Sequence, residues 1–254
     1  MADTPIAIGT APLPVGSADL LNAATDVKTS KSTDLPPVTT GTSDRYIEGL
    51  SRAVSRASAT DPITVLFQDE KLPPGQSVTD LDLPGIQKLV YEASLTRLHT
   101  KLADGGFVAE AGNFAAVACW QPGRVGEPSV PAEILAQRPA FKVFIEGVEA
   151  LKERHLCPLA QRVSGGRYWK LSLMARDPGV DYVPGAVRAV LVPFIERFTS
   201  DQNEGGPMPV WLEAGSERAR DIYAHFGFRS MGEVKVKGVG TWAMIYTGNI
   251  DVNK

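Results

Sequence analysis

The sequence predicts an α/β fold that contains at least one pair of parallel strands. Residues 167–176, RYWKLSLMAR, alternate between apolar and polar side chains as a half-buried strand does. Residues 184–198 carry apolar side chains at helical spacing, and residues 208–214, MPVWLEA, form a second strand-like run. Because a helix between two strands of one sheet provides a crossover, we expect these two strands to be parallel.

The first residues predict a strand over 5–11 and a helix over 17–26. Residues 28–44 are rich in Thr, Ser, Lys and Pro and show no periodicity, which predicts a mobile surface loop. Too few residues precede this loop to fold alone, so we expect one domain over residues 1–254.

Two further helices are predicted before residue 105. The first begins at Asp44, the expected N-cap, and ends near residue 59. Residues 66–76, LFQDEKLPPGQ, are expected to form a loop. Apolar spacing then predicts a long helix from Leu83 to about residue 102.

A hairpin and a long loop are expected next. Residues 107–111 and 114–120 are strand-like runs joined by the turn-forming pair Gly112-Asn113. Residues 121–139 are rich in Pro and Gly and predict a functional loop that could cover an acceptor pocket. Residues 140–155 predict a helix.

The last third alternates strands and helices. In the 167–176 strand, Trp169, Leu171, Leu173 and Ala175 are expected to share one face. Residues 216–226 predict a helix that begins at Ser216 and is followed by Gly227, and residues 232–248 predict an antiparallel pair. Ser is a preferred N-cap residue and Gly a preferred residue after the C-cap.

Composition narrows the function classes. The 254 residues carry 26 basic and 29 acidic side chains and a formal charge of −3, which argues against a nucleic-acid surface or a polybasic membrane anchor. Two cysteines and three histidines supply neither a disulfide framework nor a metal site. Without a signal peptide or a sufficiently long apolar run, the chain is expected to be soluble and cytoplasmic. Its oligomeric state is not predicted.

Two helix starts are candidate anion sites. At the first, Gly185 and Ala186 let a ligand approach free backbone N–H groups, although by itself this pattern is more often a simple proline-glycine turn that starts a helix. At the second, Arg218 and Arg220 lie near the positive end of the 216–226 helix, where cations are unfavourable unless an anion is present. The alternative is a solvated face in which acidic neighbours offset both arginines.

The order of these elements resembles the core of the GCN5-related N-acetyltransferase (GNAT) superfamily. The segment Ala219-x-x-Ile-Tyr223-x-x-x-Gly227-Phe228 resembles the superfamily's A-x-x-L-Y-x-x-x-G-F motif. WLEA and EAGNFAAVACWQPG look like fungal members. The resemblance implies a mixed, mostly antiparallel sheet with helices on both faces. Its central parallel strands splay apart to hold acetyl-CoA.

The resemblance also implies roles for individual residues. Backbone groups near Ala175 hold the acyl carbonyl, the loop ending at Gly185 binds pyrophosphate, Ser216 lies near the pantetheine arm, and Tyr223 is the general acid. The residues assigned to the cofactor are Met174, Ala175, Arg176, Val183, Gly185, Ala186, Val187, Arg188, Ser216, Arg218, Ala219 and Tyr223. The reaction is expected to be direct transfer to a small-molecule amine within a ternary complex. Without the resemblance, Tyr223 lies on the apolar face of its helix, and this position is typical of a core residue.

The general base is left open by the sequence. The attacking amine must lose a proton, and a carboxylate or a water chain can accept it. Glu213 ends its strand in the expected region, and Glu110 and Asp177 are alternatives. Asp and Glu side chains are more often surface carboxylates than catalytic ones.

The expected pyrophosphate loop departs from the superfamily pattern Arg/Gln-x-x-Gly-x-Gly/Ala. With a one-residue offset, Tyr182 replaces the polar start, Val187 replaces the last small residue, and Pro184 removes an N–H donor. A GNAT-fold protein that does not transfer acetyl groups, either a biosynthetic enzyme or a non-catalytic binding protein, is therefore the alternative. An unrelated α/β protein with a chance motif is the third hypothesis.

Overall fold

The structure, a computed structural model, describes residues 35–127, 130–203 and 205–250. The strand expected over 5–11 and the helix expected over 17–26 lie outside these residues. Within them the strands are β1 (Val38–Gly41), β2 (Phe107–Ala111), β3 (Ala116–Arg124), β4 (Arg167–Arg176), β5 (Val210–Ala214), β6 (Arg229–Val236) and β7 (Val239–Tyr246). They form one sheet in the order β1-β2-β3-β4-β5-β7-β6. Pairing is antiparallel except between β4 and β5, which are parallel as predicted.

Helices cover both faces of this sheet. They are α1 (Asp44–Ser58), α2 (Pro62–Asp69), α3 (Leu83–Ala103), α4 (Ala132–Gln137), α5 (Pro139–Leu151), α6 (Cys157–Ser164), α7 (Ala186–Phe198) and α8 (Glu217–His225), with a 3₁₀ turn at Val78–Asp80 and a π-helical segment at Lys152–Leu156. None of the helices in this part of the chain is long and apolar enough to cross a bilayer. The predicted fold class is confirmed.

Strand β3 shows how the two layers meet. Ala116, Ala118 and Trp120 pack on one face with α7, whereas Val117 and Cys119 pack on the other with α1 and α3. A strand buried on both faces carries an unbroken apolar run, which is what FAAVACW presents. We call the face that carries α7, where the resemblance expects the cofactor, the cofactor face, and the opposite face, where it leaves room for the acceptor, the acceptor face.

The β2–β3 turn is longer than the two residues predicted. Gly112, Asn113 and Phe114 all have positive φ angles, of 66°, 52° and 67°. Such angles are costly for a residue like Phe114. The Glu110 carboxylate stabilises this turn because it accepts the Phe114 N–H at 2.9 Å.

A β-bulge changes the predicted facing of β4. Trp120 pairs with Leu171 and Cys119 pairs with Leu173, so Ser172 is an extra residue without a partner on β3. Trp169 and Leu171 therefore pack on the cofactor face, but Leu173 and Ala175 pack on the acceptor face. The prediction that all four share one face was wrong, because an inserted residue reverses the alternation beyond it.

Three predicted loops contain regular structure. Residues 38–41, inside the 28–44 loop, form β1, whose Thr39 hydroxyl donates to Glu110 at 2.5 Å. The 66–76 loop overlaps α2, which extends to Asp69. The 121–139 loop includes the end of β3 and all of α4. These elements were missed because tertiary pairing rather than local periodicity stabilises them.

Helix ends differ from the predictions by a few residues. Ser43 rather than Asp44 is the N-cap of α1. The helix expected over 140–155 continues through the π-helical segment into α6, which ends at Gly165 with a left-handed conformation. In contrast, β4, α7, β5, α8 and the β6–β7 pair lie where they were predicted.

Candidate functional site

Strands β4 and β5 separate after a short parallel ladder. Three residue pairs are registered, from Trp169 with Val210 to Leu171 with Leu212. β4 then continues to Arg176 and β5 to Ala214 without further pairing between them. The bulge at Ser172 comes directly after the last pair and explains the separation, because bulges bend and twist a strand. The predicted splay is confirmed, and we call the opening between the two strands the wedge.

The start of α7 forms an anion-binding end near the wedge. Gly185 caps the helix with a φ of 78°, and its carbonyl accepts the Ala189 N–H at 2.8 Å. The N–H groups of Val187 and Arg188 have no acceptor inside the helix, because the first turn lacks preceding carbonyls. Together with the helix dipole they favour a bound anion.

Two cationic side chains line the cavity at this helix start. The cavity has a volume of about 190 Å³, and its lining residues are Ala115, Arg176, Tyr182, Val183, Gly185, Ala186, Val187, Arg188 and Phe226. The guanidinium of Arg176 lies 5.2 Å from the centre of the Tyr182 ring. A phosphate group here would meet backbone donors and two arginines.

A wider groove continues from this cavity along α8. Its volume is about 680 Å³, and its lining residues are Val187, Glu217, Arg218, Asp221, Ile222, His225 and Phe226. Val187 and Phe226 line both spaces, so the groove and the cavity are neighbours. Together they offer a path between the starts of α7 and α8.

The two arginines of α8 have different surroundings. Arg220 donates to the Asp221 carboxylate at 2.9 Å and lies 5.2 Å from the centre of the Trp242 ring. Arg218 lines the groove and makes no hydrogen bond or ion pair within the described residues. The solvated interpretation therefore fits Arg220, whereas Arg218 is available to an anionic ligand.

The residues that follow Tyr223 hold it in place. Gly227 adopts a φ of 91°, which lets the Phe228 N–H donate to the Tyr223 carbonyl at 3.1 Å. The Phe228 ring packs edge-to-face on the Tyr223 ring with centroids 5.8 Å apart. At the other end of α8, the Ser216 hydroxyl accepts the Ala219 N–H at 3.2 Å and is the N-cap as predicted.

The Tyr223 side chain is half-buried against the cofactor-face core. Burial raises the pKa of its phenol, so the group stays protonated at neutral pH. Its hydroxyl has no hydrogen-bond partner within the described residues. An unpartnered phenol can donate a hydrogen bond to a developing anion, and the raised pKa makes it a weaker acid than a free tyrosine.

Two valines of the expected pyrophosphate loop pack partly into the core. Val183 and Val187 pack against the cofactor-face cluster. Val183 also lies against Gly112, where an added Cβ would be 2.9 Å from Val183. Tyr182 is 68% exposed, lines the cavity at the helix start and lies against Arg176. A cavity is present at the helix start despite these departures.

All three candidate bases accept hydrogen bonds from other groups of the protein. Asp177 is 2% exposed and accepts the Gly179 N–H at 2.8 Å and the Arg56 guanidinium at 3.2 Å. Glu110 accepts from Thr39 and Phe114, as described above. These two carboxylates stabilise loops, so the structure argues against either as the base.

Glu213 lies on the acceptor face beside the wedge. One of its oxygens accepts the Trp211 indole N–H at 2.8 Å and the other is 2.9 Å from Lys170 Nζ. Burial alone would raise the pKa of Glu213, but Lys170, Lys152 and these hydrogen bonds together lower it. The group is ionised but only weakly basic, so its assignment as the catalytic base stays a prediction.

Sequence reasoning missed a polar group at the acceptor-face side of the wedge. Lys101 of α3 donates through Nζ to Gln121 Oε1 at 2.8 Å and to Ser172 Oγ at 3.3 Å. Ser172 in turn donates to Gln121 Oε1 at 3.0 Å. These residues come from three separate elements, and no local motif links them. The structure describes no group of three or more His, Cys, Asp or Glu side chains that could hold a metal ion.

Comparisons with known proteins agree with this architecture. No protein-family model matches the sequence, and no curated protein is significantly similar to it. Among solved structures, one from Corynebacterium glutamicum, described as a histone acetyltransferase and related acetyltransferase, has a TM-score of 0.53 at 18% identity, covering 86% of this chain and 99% of its own. A putative arylalkylamine N-acetyltransferase of the yellow fever mosquito has a TM-score of 0.52 at 13% identity, covering 82% and 86%. An agmatine N-acetyltransferase has a TM-score of 0.50 at 12% identity, covering 82% and 98%. At these identities the likeness shows the fold, and the predicted GNAT fold is confirmed.

Proposed function

We propose that the protein is an acetyl-CoA-dependent N-acetyltransferase that acts on a small-molecule amine. The observation that carries this proposal is the wedge between β4 and β5, with the anion-binding end of α7 on its cofactor side. The pyrophosphate of acetyl-CoA would bind the N–H groups at the start of α7, assisted by Arg176 and Arg188. The pantetheine arm would enter the wedge, with Arg218 of the groove and Ser216 and Ala219 at the start of α8 alongside.

The wedge supplies what acyl transfer needs. A strand edge without a pairing partner presents backbone N–H groups, and those of β4 near Met174 and Ala175 can stabilise the oxyanion of a tetrahedral intermediate. A fixed N–H of this kind is worth a factor of about 10²–10³ in kcat.

The proposed reaction is direct transfer within a ternary complex. The neutral amine attacks the thioester carbonyl, a C–N bond forms, and the C–S bond breaks. The attacking nitrogen loses its proton through water, with Glu213 as the predicted base, although its ion pair with Lys170 makes this carboxylate only weakly basic. Tyr223 donates a proton to the departing thiolate, whose conjugate acid has a pKa of about 8.5 by analogy with cysteine. The phenol then recovers a proton from solvent.

Calorimetry with acetyl-CoA and an amine panel tests this function. We expect measurable binding at millimolar acetyl-CoA and release of free CoA thiol with at least one amine. Absence of binding heat at that concentration would contradict the proposal.

The second candidate function is a GNAT-fold protein that binds its ligand without transferring acetyl groups. It is favoured by Leu35 and Pro36, since a Cβ added at Gly185 would lie 3.2 Å and 3.3 Å from them. These side chains approach the loop where pyrophosphate would bind. CoA binding without turnover over the whole amine panel would support this candidate and reject the first.

We also propose that the protein acts in the cytoplasm without a membrane or nucleic-acid partner. Cys119 and Cys157 are free thiols, which is typical of a reducing compartment. Basic and acidic residues are nearly balanced, so no strongly cationic surface is expected.

A further inference from the structure

Arg97 and Lys101 lie one helical turn apart on α3, at the acceptor-face side of the wedge. We call them the basic pair. Lys101 donates to neutral oxygens of Gln121 and Ser172, as described above. Arg97 makes no hydrogen bond or ion pair within the described part of the chain. Neither cation is neutralised by a carboxylate contact of its own.

The neighbouring carboxylates form ion pairs with other lysines. Glu213 bonds Lys170 at 2.9 Å and Trp211 at 2.8 Å, so both of its oxygens are engaged. Glu149 lies 2.9 Å from Lys152 Nζ. The region around the basic pair therefore has excess positive charge.

Hydration of Lys101 is incomplete. Burial, followed by repulsion from Lys170 and Arg97, lowers the pKa of Lys101 to about 8. The Arg97 side chain is exposed to solvent, so a ligand from solution can reach it. The titratable or charged groups that act on Lys101 are Arg97 from α3, Cys119 from β3, Lys170 from β4 and Glu213 from β5. A bound anion would relieve this unfavourable arrangement.

We propose that the acceptor carries a carboxylate that binds between Arg97 and Lys101, so that the substrate is an amino acid or a similar acidic amine. This inference rests on the proposed acetyltransferase function. Ser172, which contacts Lys101, is the bulge residue where β4 leaves β5. A carboxylate held there places the attached amine beside the expected thioester. A polyamine would instead bring a second cation towards the basic pair, and like charges repel.

Matched pairs of ligands test the proposal. Arginine, tryptophan and alanine are titrated in a calorimeter beside agmatine, tryptamine and ethylamine, which differ from them by loss of the carboxylate. All titrations contain 1 mM CoA. We expect at least one amino acid to bind about tenfold or more tightly than its amine, since a charge-assisted hydrogen bond contributes roughly 1.5–3 kcal/mol, and tenfold is about 1.4 kcal/mol. Equal or weaker binding in every pair, or no binding, would overturn the proposal.

Variants locate the effect on the basic pair. Arg97→Met and Lys101→Met should each weaken the binding of that amino acid about 10- to 100-fold and leave the binding of its amine unchanged. Lys88→Met is the matched control, because Lys88 is an exposed residue of α3 that lies 3.9 Å from Glu92. If neither Met variant changes the affinity, or if Lys88→Met weakens it equally, the carboxylate does not bind here.

The pH dependence distinguishes Lys101 from a merely structural lysine. Lys101 attracts a carboxylate while protonated, so amino-acid affinity should fall as pH rises above about 8. Lys101→Arg keeps its charge and should retain affinity to about pH 10. A wild-type affinity that is constant between pH 7 and 10 would contradict the assignment.

The same panel separates this proposal from the proposed function. Acetylation of the amines in preference to the amino acids would support the acetyltransferase and overturn the carboxylate site. Amino-acid binding that Arg97→Met weakens, without any binding of acetyl-CoA, would support the carboxylate site and reject the acetyltransferase.

Discussion

The two faces of the sheet carry different kinds of side chain and backbone group at the wedge. On the cofactor face, Tyr223 and the start of α7 combine an apolar surface with free N–H groups. On the acceptor face, Lys101 donates to Gln121 and Ser172, and Lys170 forms an ion pair with Glu213. Under the proposed function, the α7 face would bind and protonate the leaving group, and the opposite face would recognise the acceptor. Changes on the cofactor face should then alter acetyl-CoA affinity or kcat, and changes on the acceptor face should alter acceptor KM.

The largest effect is expected at Tyr223. Tyr223→Phe removes the hydroxyl and keeps the ring that packs on Phe228, so kcat should fall by about 10²–10⁴ with acetyl-CoA affinity nearly unchanged. Steady-state kinetics together with calorimetry measures both quantities. If kcat is retained, Tyr223 is a core residue and the cofactor face does not protonate the leaving group.

A smaller effect is expected at the start of α7. Gly185→Val introduces a side chain at a φ of 78°, within 3.2 Å of Leu35, and should weaken acetyl-CoA binding by about tenfold or more through strain of roughly 1–3 kcal/mol. Gly75→Val is the control, because Gly75 has a φ of 86° with open space around it. Equal loss of affinity in both variants would show a global rather than a local effect.

Asp177 should affect stability rather than chemistry. Asp177→Ala removes the acceptor of the Gly179 N–H and the partner of Arg56, which should lower the free energy of unfolding by about 1–3 kcal/mol. Denaturant unfolding measures this change, and kcat should stay within about twofold of wild type. A loss of kcat without a loss of stability would restore Asp177 as a candidate base.

The sequence predicted the cofactor face better than the acceptor face, and the reason is physical. β4, α7, β5 and α8 follow one another in the chain and each has a clear period, so local pattern and motif sufficed. The basic pair instead meets Gln121 and Ser172 through contacts between α3, β3 and β4, to which no periodicity corresponds. β1 was missed for a similar reason, because four residues with two threonines form a strand only when paired with β2.

The bulge was missed although it determines the wedge. Leu171, Leu173 and Ala175 look like one continuous face in the sequence, and the inserted Ser172 leaves that spacing unchanged. The alternation of apolar and polar residues along a strand therefore cannot reveal a single extra residue. It shows only when β4 is paired with β3.

Deletion of Ser172 tests the wedge most directly. Without this residue Leu171 and Leu173 would pair with Trp120 and Cys119 in a regular ladder and keep their observed faces, so the protein should fold. The straightened strand should extend its pairing with β5 and close the wedge, and acetyl-CoA affinity should fall by at least about tenfold. Ser172→Ala keeps the bulge and should bind acetyl-CoA as the wild type does. A folded deletion variant with wild-type acetyl-CoA affinity would contradict the account.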